Sequence, residues 1–377
     1  MASAQTASPA SVNAAVIQAL LTSPQIRRKR VALPPQNVAA GGTATFLPTK
    51  TGYIRGFFVN VKATVESTAA ATALQMAWAK LLGAISYVDF SGTTRHSTTG
   101  LELTAVMSQR HSGFLGLNGG GDYAGSGAIG LNNPVVQFPA SLAANTPANV
   151  EVWYYVPLAE TITGKLLGLE FAQYQQAQAQ LSVTLNPGTI TGAGDAFTDM
   201  FTAPVTITNG KVTVIQDYYD GALPSQNGQI VLPPESTGTA YRINSQLFPL
   251  TLSAGQQTLH ALDQSWTYLS YMFLFDNGGT FGKASAASGS TPDLTAIGLY
   301  VNAQTPIYND PPSLISMHNA ARMPQREWAP GMYFLDVADR PIVASVNGQY
   351  SAAITPATVN AGAFGRYTVE TLQASNG

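Results

Sequence analysis

The segment that most constrains this chain is Asn149–Leu158, Asn-Val-Glu-Val-Trp-Tyr-Tyr-Val-Pro-Leu. Val150, Val152, Tyr154 and Val156 share one side of an extended backbone, and Glu151, Trp153 and Tyr155 share the other. β-Branched and aromatic residues at period two, stopped by a proline that cannot continue a ladder, predict a strand. A second aromatic run, Ser265–Gly279, ends at the tight-turn signal Asn277-Gly278. Two such strands, each set among many short ones, predict two all-β units in tandem.

Charge bears on how such units are covered. Charged residues make up 10% of the 377-residue chain, against about 25% in ordinary soluble domains. So few charges cannot cover a monomer of this size, which points to surfaces buried against other subunits and to assembly rather than catalysis. A net charge of −2 gives no basic face for general nucleic-acid binding, so direct nucleic-acid contact is not expected. The absence of cysteine excludes disulfides, thiol catalysis and cysteine-ligated zinc. No basic n-region opens the chain and no window reaches the roughly 18 apolar residues of a membrane span. The expectation is a soluble, non-spanning protein made in the cytoplasm.

Residues 1–38 differ from the rest. Ser8-Pro9 is a helix start, with a hydroxyl cap and proline at the first helical position. Val12, Val16, Ile17, Leu20 and Leu21 then form one apolar stripe at helical spacing, which Pro24 ends. Arg27-Arg28-Lys29-Arg30 follows, and Pro34-Pro35 marks the boundary to the body. An amphipathic helix with a basic cluster suits an anionic membrane surface, which makes these nine residues the candidate membrane-facing set. A helix packed on its own or a neighbouring subunit, or an arm for nucleic acid, would use the same pattern.

Residues 39–223 read as a first β unit. Gly52–Val65 and Lys165–Phe171 are strand-like, as are Leu101–Val106 and Leu181–Leu185. Leu74–Phe90 fits a strand or a short helix. Ser112–Asn133, dense in glycine, reads as a long excursion loop. Val205–Thr208 and Lys211–Ile215 around Asn209-Gly210 carry the signature of a hairpin. A linker at 224–227 closes the turn-rich stretch Asp217–Asn227, a second β unit spans 228–367, and an arm occupies 368–377. Within the second unit Ser313–Arg322 is the single helix candidate. Strand-rich units of this size with Gly/Pro turns suit sandwiches or jelly rolls.

Catalytic chemistry is thin. His96, His111, His260 and His318 lack ligand spacing and read as surface or loop residues. There is no nucleophile elbow or P-loop, and the glycines of Gly119–Gly130 do not join a strand to a helix. Asp195/Asp199, Asp217/Asp220 and Asp336/Asp339 fall near predicted turns, where aspartate caps backbone groups. The sequence therefore implies no enzyme and no cofactor. A carbohydrate-binding jelly-roll module, with Trp153, Trp266 or Trp328 stacking on sugars, is the alternative from another functional class.

Several stretches also occur, in this order, in one known family. They include Gly56–Val61, Val152–Ala159, Leu167–Ala172 and Gln226-Asn227-Gly228, then Phe275–Phe281, Gly331–Asp336, Asp339–Ile342 and Pro356–Asn360. Through them the chain resembles the major capsid proteins of the tectivirus lineage, tailless icosahedral bacteriophages with a lipid membrane beneath the shell. The resemblance implies a double jelly roll, two tandem jelly rolls with an N-terminal amphipathic helix and short helices in loops. It further implies a homotrimer forming a pseudo-hexagonal tile, in contact with neighbouring capsid trimers and with penton and minor capsid proteins. The N-terminal helix would lie near the inner viral membrane, and the C-terminal arm would clamp neighbours.

Overall fold

The computed structural model describes residues 27–110, 136–162, 165–172, 175–190, 195–220, 225–226, 229–230, 241–250, 258–261, 267–279, 293–302, 305–321, 331–337, 342–343 and 350–374. The predicted N-terminal helix, the Ser112–Asn133 loop, Trp266 and Trp328 lie outside them.

In chain order the first unit holds β1 (Arg27–Ala32), β2 (Thr43–Phe46), β3 (Tyr53–Glu66), β4 (Leu82–Val88) and β5 (Thr94–Thr98). Helix α1 (Gly100–Arg110), β6 (Ala148–Pro157), β7 (Gln180–Leu185) and β8 (Thr206–Asp220) complete it. The second unit holds β9 (Tyr241–Leu250), β10 (Thr258–Ala261), β11 (Thr267–Asp276), β12 (Leu294–Val301) and β13 (Thr305–Asp310). After these come α2 (Pro312–Ala321), β14 (Met332–Asp336), β15 (Tyr350–Pro356) and β16 (Phe364–Ala374).

The first sheet runs β1-β8-β3-β6, with Val136–Gln137 on the outer side of β6. On β3 and β6 the alternation drives the layering: Val59, Val61, Ala63 and Val65, with Val150, Val152, Tyr154 and Val156, are buried on the core side. A second sheet runs through both units in the order β14-β11-β16-β9-β5-β4-β7-β2. The units join where β9 pairs in parallel with β5, Ser245 opposite His96 and Gln246 opposite Ser97. A third sheet, β10-β15-β12-β13, closes the second sandwich. The chain is a double jelly roll.

The seam between the units is apolar through its middle. Tyr271, Phe273 and Phe275 of β11 belong to the second core, whereas Met272 and Leu274 belong to the first, together with Met332 and Phe334 of β14. A strand covered on both faces reads as a continuous apolar run, which is why Tyr268–Phe275 lacks polar alternation apart from Ser270.

Three expectations need correction. Leu101–Val106 belongs to helix α1, not a strand. Thr99 precedes it in the S/T-x-x-E pattern of a helix start, its hydroxyl donating to the Glu102 carboxylate and its carbonyl taking the Leu103 N–H at 3.0 Å. Asn209-Gly210 is not a hairpin turn. Thr208 pairs with Thr64 and Lys211 with Lys62, so two residues face Ala63 and β8 runs on as one bulged strand. Asn209 takes a positive φ of 52°. A β-carbon on Gly210 would sit 2.2 Å from the Val38 carbonyl oxygen. Finally, His96 is no surface residue: it lies on β5, 1% exposed.

Elsewhere, Leu74–Phe90 resolves into a 3-10 turn at Ala79–Leu81 and then β4. The predicted helix Ser313–Arg322 appears as α2. The basic segment before Pro34-Pro35 enters the first sheet as its edge strand, Asp217–Asp220 finish β8, and the stretch from Thr368 completes β16 between β9 and β11.

Candidate assembly surfaces

Two arginines of the basic block share one carboxylate. β1 pairs antiparallel with β8, which puts Arg28 opposite Tyr219 and Arg30 opposite Asp217. Arg28 donates from Nε to Asp217 Oδ1 at 2.8 Å and from Nη2 to Oδ2 at 2.7 Å, a bidentate fork. Arg30 Nε lies 3.9 Å and Arg55 Nη1 4.0 Å from the same carboxylate, which is 0% exposed. The hydrogen bond to Asp217 raises the Arg28 pKa. Lys29 pairs with Asp220, and that contact raises its pKa as well. All four basic residues of the block are exposed. Of the candidate membrane-facing residues, Val12, Val16, Ile17, Leu20 and Leu21 fall outside the described residues, whereas Arg27, Arg28, Lys29 and Arg30 stand together along one sheet edge.

Beside that edge, the outward face of the first sheet is aromatic. The register puts Ile215 and Tyr155 on either side of Phe58, and Thr213 and Trp153 on either side of Asn60. The Arg30 guanidinium lies 4.7 Å above the Phe58 ring, and Phe58 packs on Tyr155 at 4.8 Å between centroids. Phe58, Trp153 and Ile215 are half-buried. Lys62 and Glu151, 2.8 Å apart, form the far rim.

The seam carries its own ionic contacts. Arg366 of β16 lies 2.7 Å from Glu102 of α1 and 4.3 Å above the Phe197 ring. Burial pushes the Glu102 pKa up, and the Arg366 charge counteracts it. Asp276 of β11 accepts the Ala196 N–H at 2.7 Å. Asp195 and Asp199 cap the same turn, as expected of that pair. Near the β5–β9 junction Arg95 donates to the Leu158 and Gly168 carbonyls, each at 2.7 Å. The His96 Nε2–H donates to the Pro157 carbonyl, and burial lowers the His96 pKa to about 4.

Sequence reasoning missed the seam residues Glu102 and Arg366 and the aromatic outward face. The S/T-x-x-E pattern would have found α1. Phe58, Tyr155 and Ile215 sit on the positions of β3, β6 and β8 opposite the core set, and that was the legible signal for the second patch.

With these features in view, the class of protein is defined by its architecture. The fold matches the STIV MCP of Sulfolobus turreted icosahedral virus with a TM-score of 0.63, at 12% identity over 93% of this chain and 98% of that one. It also matches PBCV-1 VP54, fitted into a reconstruction of the virophage Sputnik, with a TM-score of 0.56 at 12% identity over 92% and 93%. This is the double jelly roll of viral major capsid proteins. A family model described as P3 major capsid protein N-terminal matches residues 11–222, and the chain is 28% identical over 334 residues to major capsid protein P3 of Enterobacteria phage PRD1, covering 83% of this chain and 78% of that protein. The chain belongs to the P3 family of bacteriophage major capsid proteins, components of the icosahedral virion.

Proposed function

We propose that this chain is the principal shell subunit of a tailless, membrane-containing bacteriophage, acting as a homotrimer without enzymatic activity. Three double jelly rolls would give a pseudo-hexagonal tile that abuts neighbouring trimers and meets penton and minor proteins at the vertices. The subunit would be made in the host cytoplasm and end in the virion. The observation that carries this reading is the relationship to a phage major capsid protein along 83% of the chain. The scarcity of charge supports it, because obligate interfaces of about 2,000–5,000 Å² resemble a divided apolar core. Native mass spectrometry of the purified protein at micromolar concentration is expected to give a trimer; a monomer overturns the reading.

The N-terminal segment is proposed to face the inner membrane, with Val12, Val16, Ile17, Leu20 and Leu21 toward the acyl boundary and the basic block toward anionic headgroups. Each exposed Lys or Arg near such a surface contributes about 1 kcal/mol, and many tethered copies multiply a weak contact. Because Arg28 is committed to Asp217, the test uses deletion of residues 1–26 and, separately, glutamine at Arg27, Lys29 and Arg30. Flotation with anionic liposomes is expected to fall in both variants while the trimer persists. Unchanged flotation overturns the membrane assignment.

A further inference from the structure

Among the described residues two asparagines precede a glycine, Asn209 before Gly210 and Asn277 before Gly278. The dipeptide is chemically labile, because glycine presents its backbone nitrogen to the preceding side chain with no β-carbon in the way. The fold treats the two copies in opposite ways. Asn277, just after β11, is 4% exposed and held at each end of its side chain. Its Nδ2 donates to Asp293 Oδ1 at 3.0 Å, and its Oδ1 accepts the Asn360 N–H at 2.9 Å. Its backbone carbonyl accepts from Asn360 Nδ2 at 3.1 Å as well.

Asn209 stands at the bulge of β8. It is exposed within its own chain, and its Nδ2 reaches Thr64 Oγ1 at 3.4 Å, longer than an ordinary hydrogen bond. With Gly210, Lys211 and residues 37–39 it lines an open cavity of about 420 Å³, so water reaches the amide and ammonia can leave. The register on β3 passes from Thr208 to Lys211 and skips both residues of the pair. The peptide that joins them is therefore the one the ladder holds least.

We propose that Asn209 is a site of succinimide formation and deamidation, and that the fold protects Asn277 from the same reaction. Hydroxide removes the Gly210 amide proton, and the nitrogen attacks Asn209 Cγ. The new N–Cγ bond closes a cyclic imide; the Cγ–Nδ2 bond breaks, and Nδ2 takes a proton from water and leaves as ammonia. A second water opens the imide at either carbonyl, giving aspartate or isoaspartate. Either product adds one negative charge to the cavity that Lys211 lines. Aspartate suits the positive φ of 52° as asparagine does. Isoaspartate carries the main chain through an extra carbon, and Gly210 has little room to shift. Its carbonyl accepts the Val38 N–H at 2.8 Å, and the Val38 carbonyl oxygen lies 2.2 Å from where a β-carbon would stand. The isoaspartyl product therefore strains the contact between the bulge and the segment that leads to β2.

The test needs no substitution. Full-length wild-type protein is held for weeks at mildly alkaline pH, native in one arm and unfolded in guanidinium chloride in the other. Peptide mass spectrometry of the digests then reads the conversion of amide to acid at each asparagine separately. In the unfolded arm Asn209 and Asn277 are expected to convert at comparable rates, since glycine follows both. In the native arm Asn209 is expected to convert at least about tenfold faster than Asn277, which reacts only through local opening. A native Asn209 that converts no faster than native Asn277 overturns the inference. An equally large difference in the unfolded arm overturns it too, because the neighbouring sequence and not the fold would then set the rates.

Discussion

At the scale of single residues, the fold spends its few ionisable groups inside. His96 is the clearest case. Its Nδ1 is buried without a hydrogen-bond partner and its Nε2–H is given to Pro157, so the neutral ring is the folded form. The folded pKa of about 4 lies below the ordinary 6.5, so the unfolded chain binds the proton first as pH falls. Stability from this group is complete above about pH 6.5 and is lost between there and pH 4. Urea midpoints measured across that window are expected to fall with pH in the wild type and to fall less in His96→Gln. The sequence hid this role because nothing local marks His96 as buried: Arg95 and Ser97 flank it, and its partner carbonyl is 61 residues away. Asp217 was hidden in the same way. The chain reads Asp-Tyr-Tyr-Asp-Gly there, a turn composition, yet the carboxylate is enclosed by three arginines of β1 and β3.

At the scale of elements, long period-two runs were legible and short or bulged ones were not. Sequence alone placed β3 and β6 to within a residue or two, because burial on one face imposes alternation. Helix α1 escaped because Leu101, Leu103 and Ala105 alternate like a strand while the decisive signal sits just before them. Thr99→Ala removes the hydroxyl that donates to the buried Glu102 carboxylate and is expected to cost about 1–3 kcal/mol, read as a lower thermal midpoint; Thr99→Ser should restore most of it. The β8 bulge escaped because Asn-Gly is the commonest hairpin signal, and only the unbroken partner β3 overrides it. The basic block was expected as a flanking segment but is a strand, since backbone pairing to β8 and a waiting carboxylate outweigh the repulsion among four adjacent cations.

At the scale of the whole molecule, the tandem arrangement was legible from two distant aromatic strands, but the seam was not, because pairing between units is set by residues far apart in sequence. Arg366 and Glu102 are 264 positions apart by numbering and nearly dehydrated. Arg366→Met leaves the buried carboxylate without its countercharge and is expected to cost about 3–5 kcal/mol, whereas Arg366→Met with Glu102→Leu should regain most of that; guanidinium midpoints of the three proteins make the comparison. The parallel junction of β9 with β5 has a mechanical consequence. Sliding one unit past the other along the strands loads its short ladder in shear, so those hydrogen bonds resist together. Opening the units like a book peels them one at a time. Parting the units would also have to expose the apolar seam of Met272, Leu274, Met332 and Phe334 and break the buried Arg366–Glu102 pair, so the short ladder is the smaller part of what holds them.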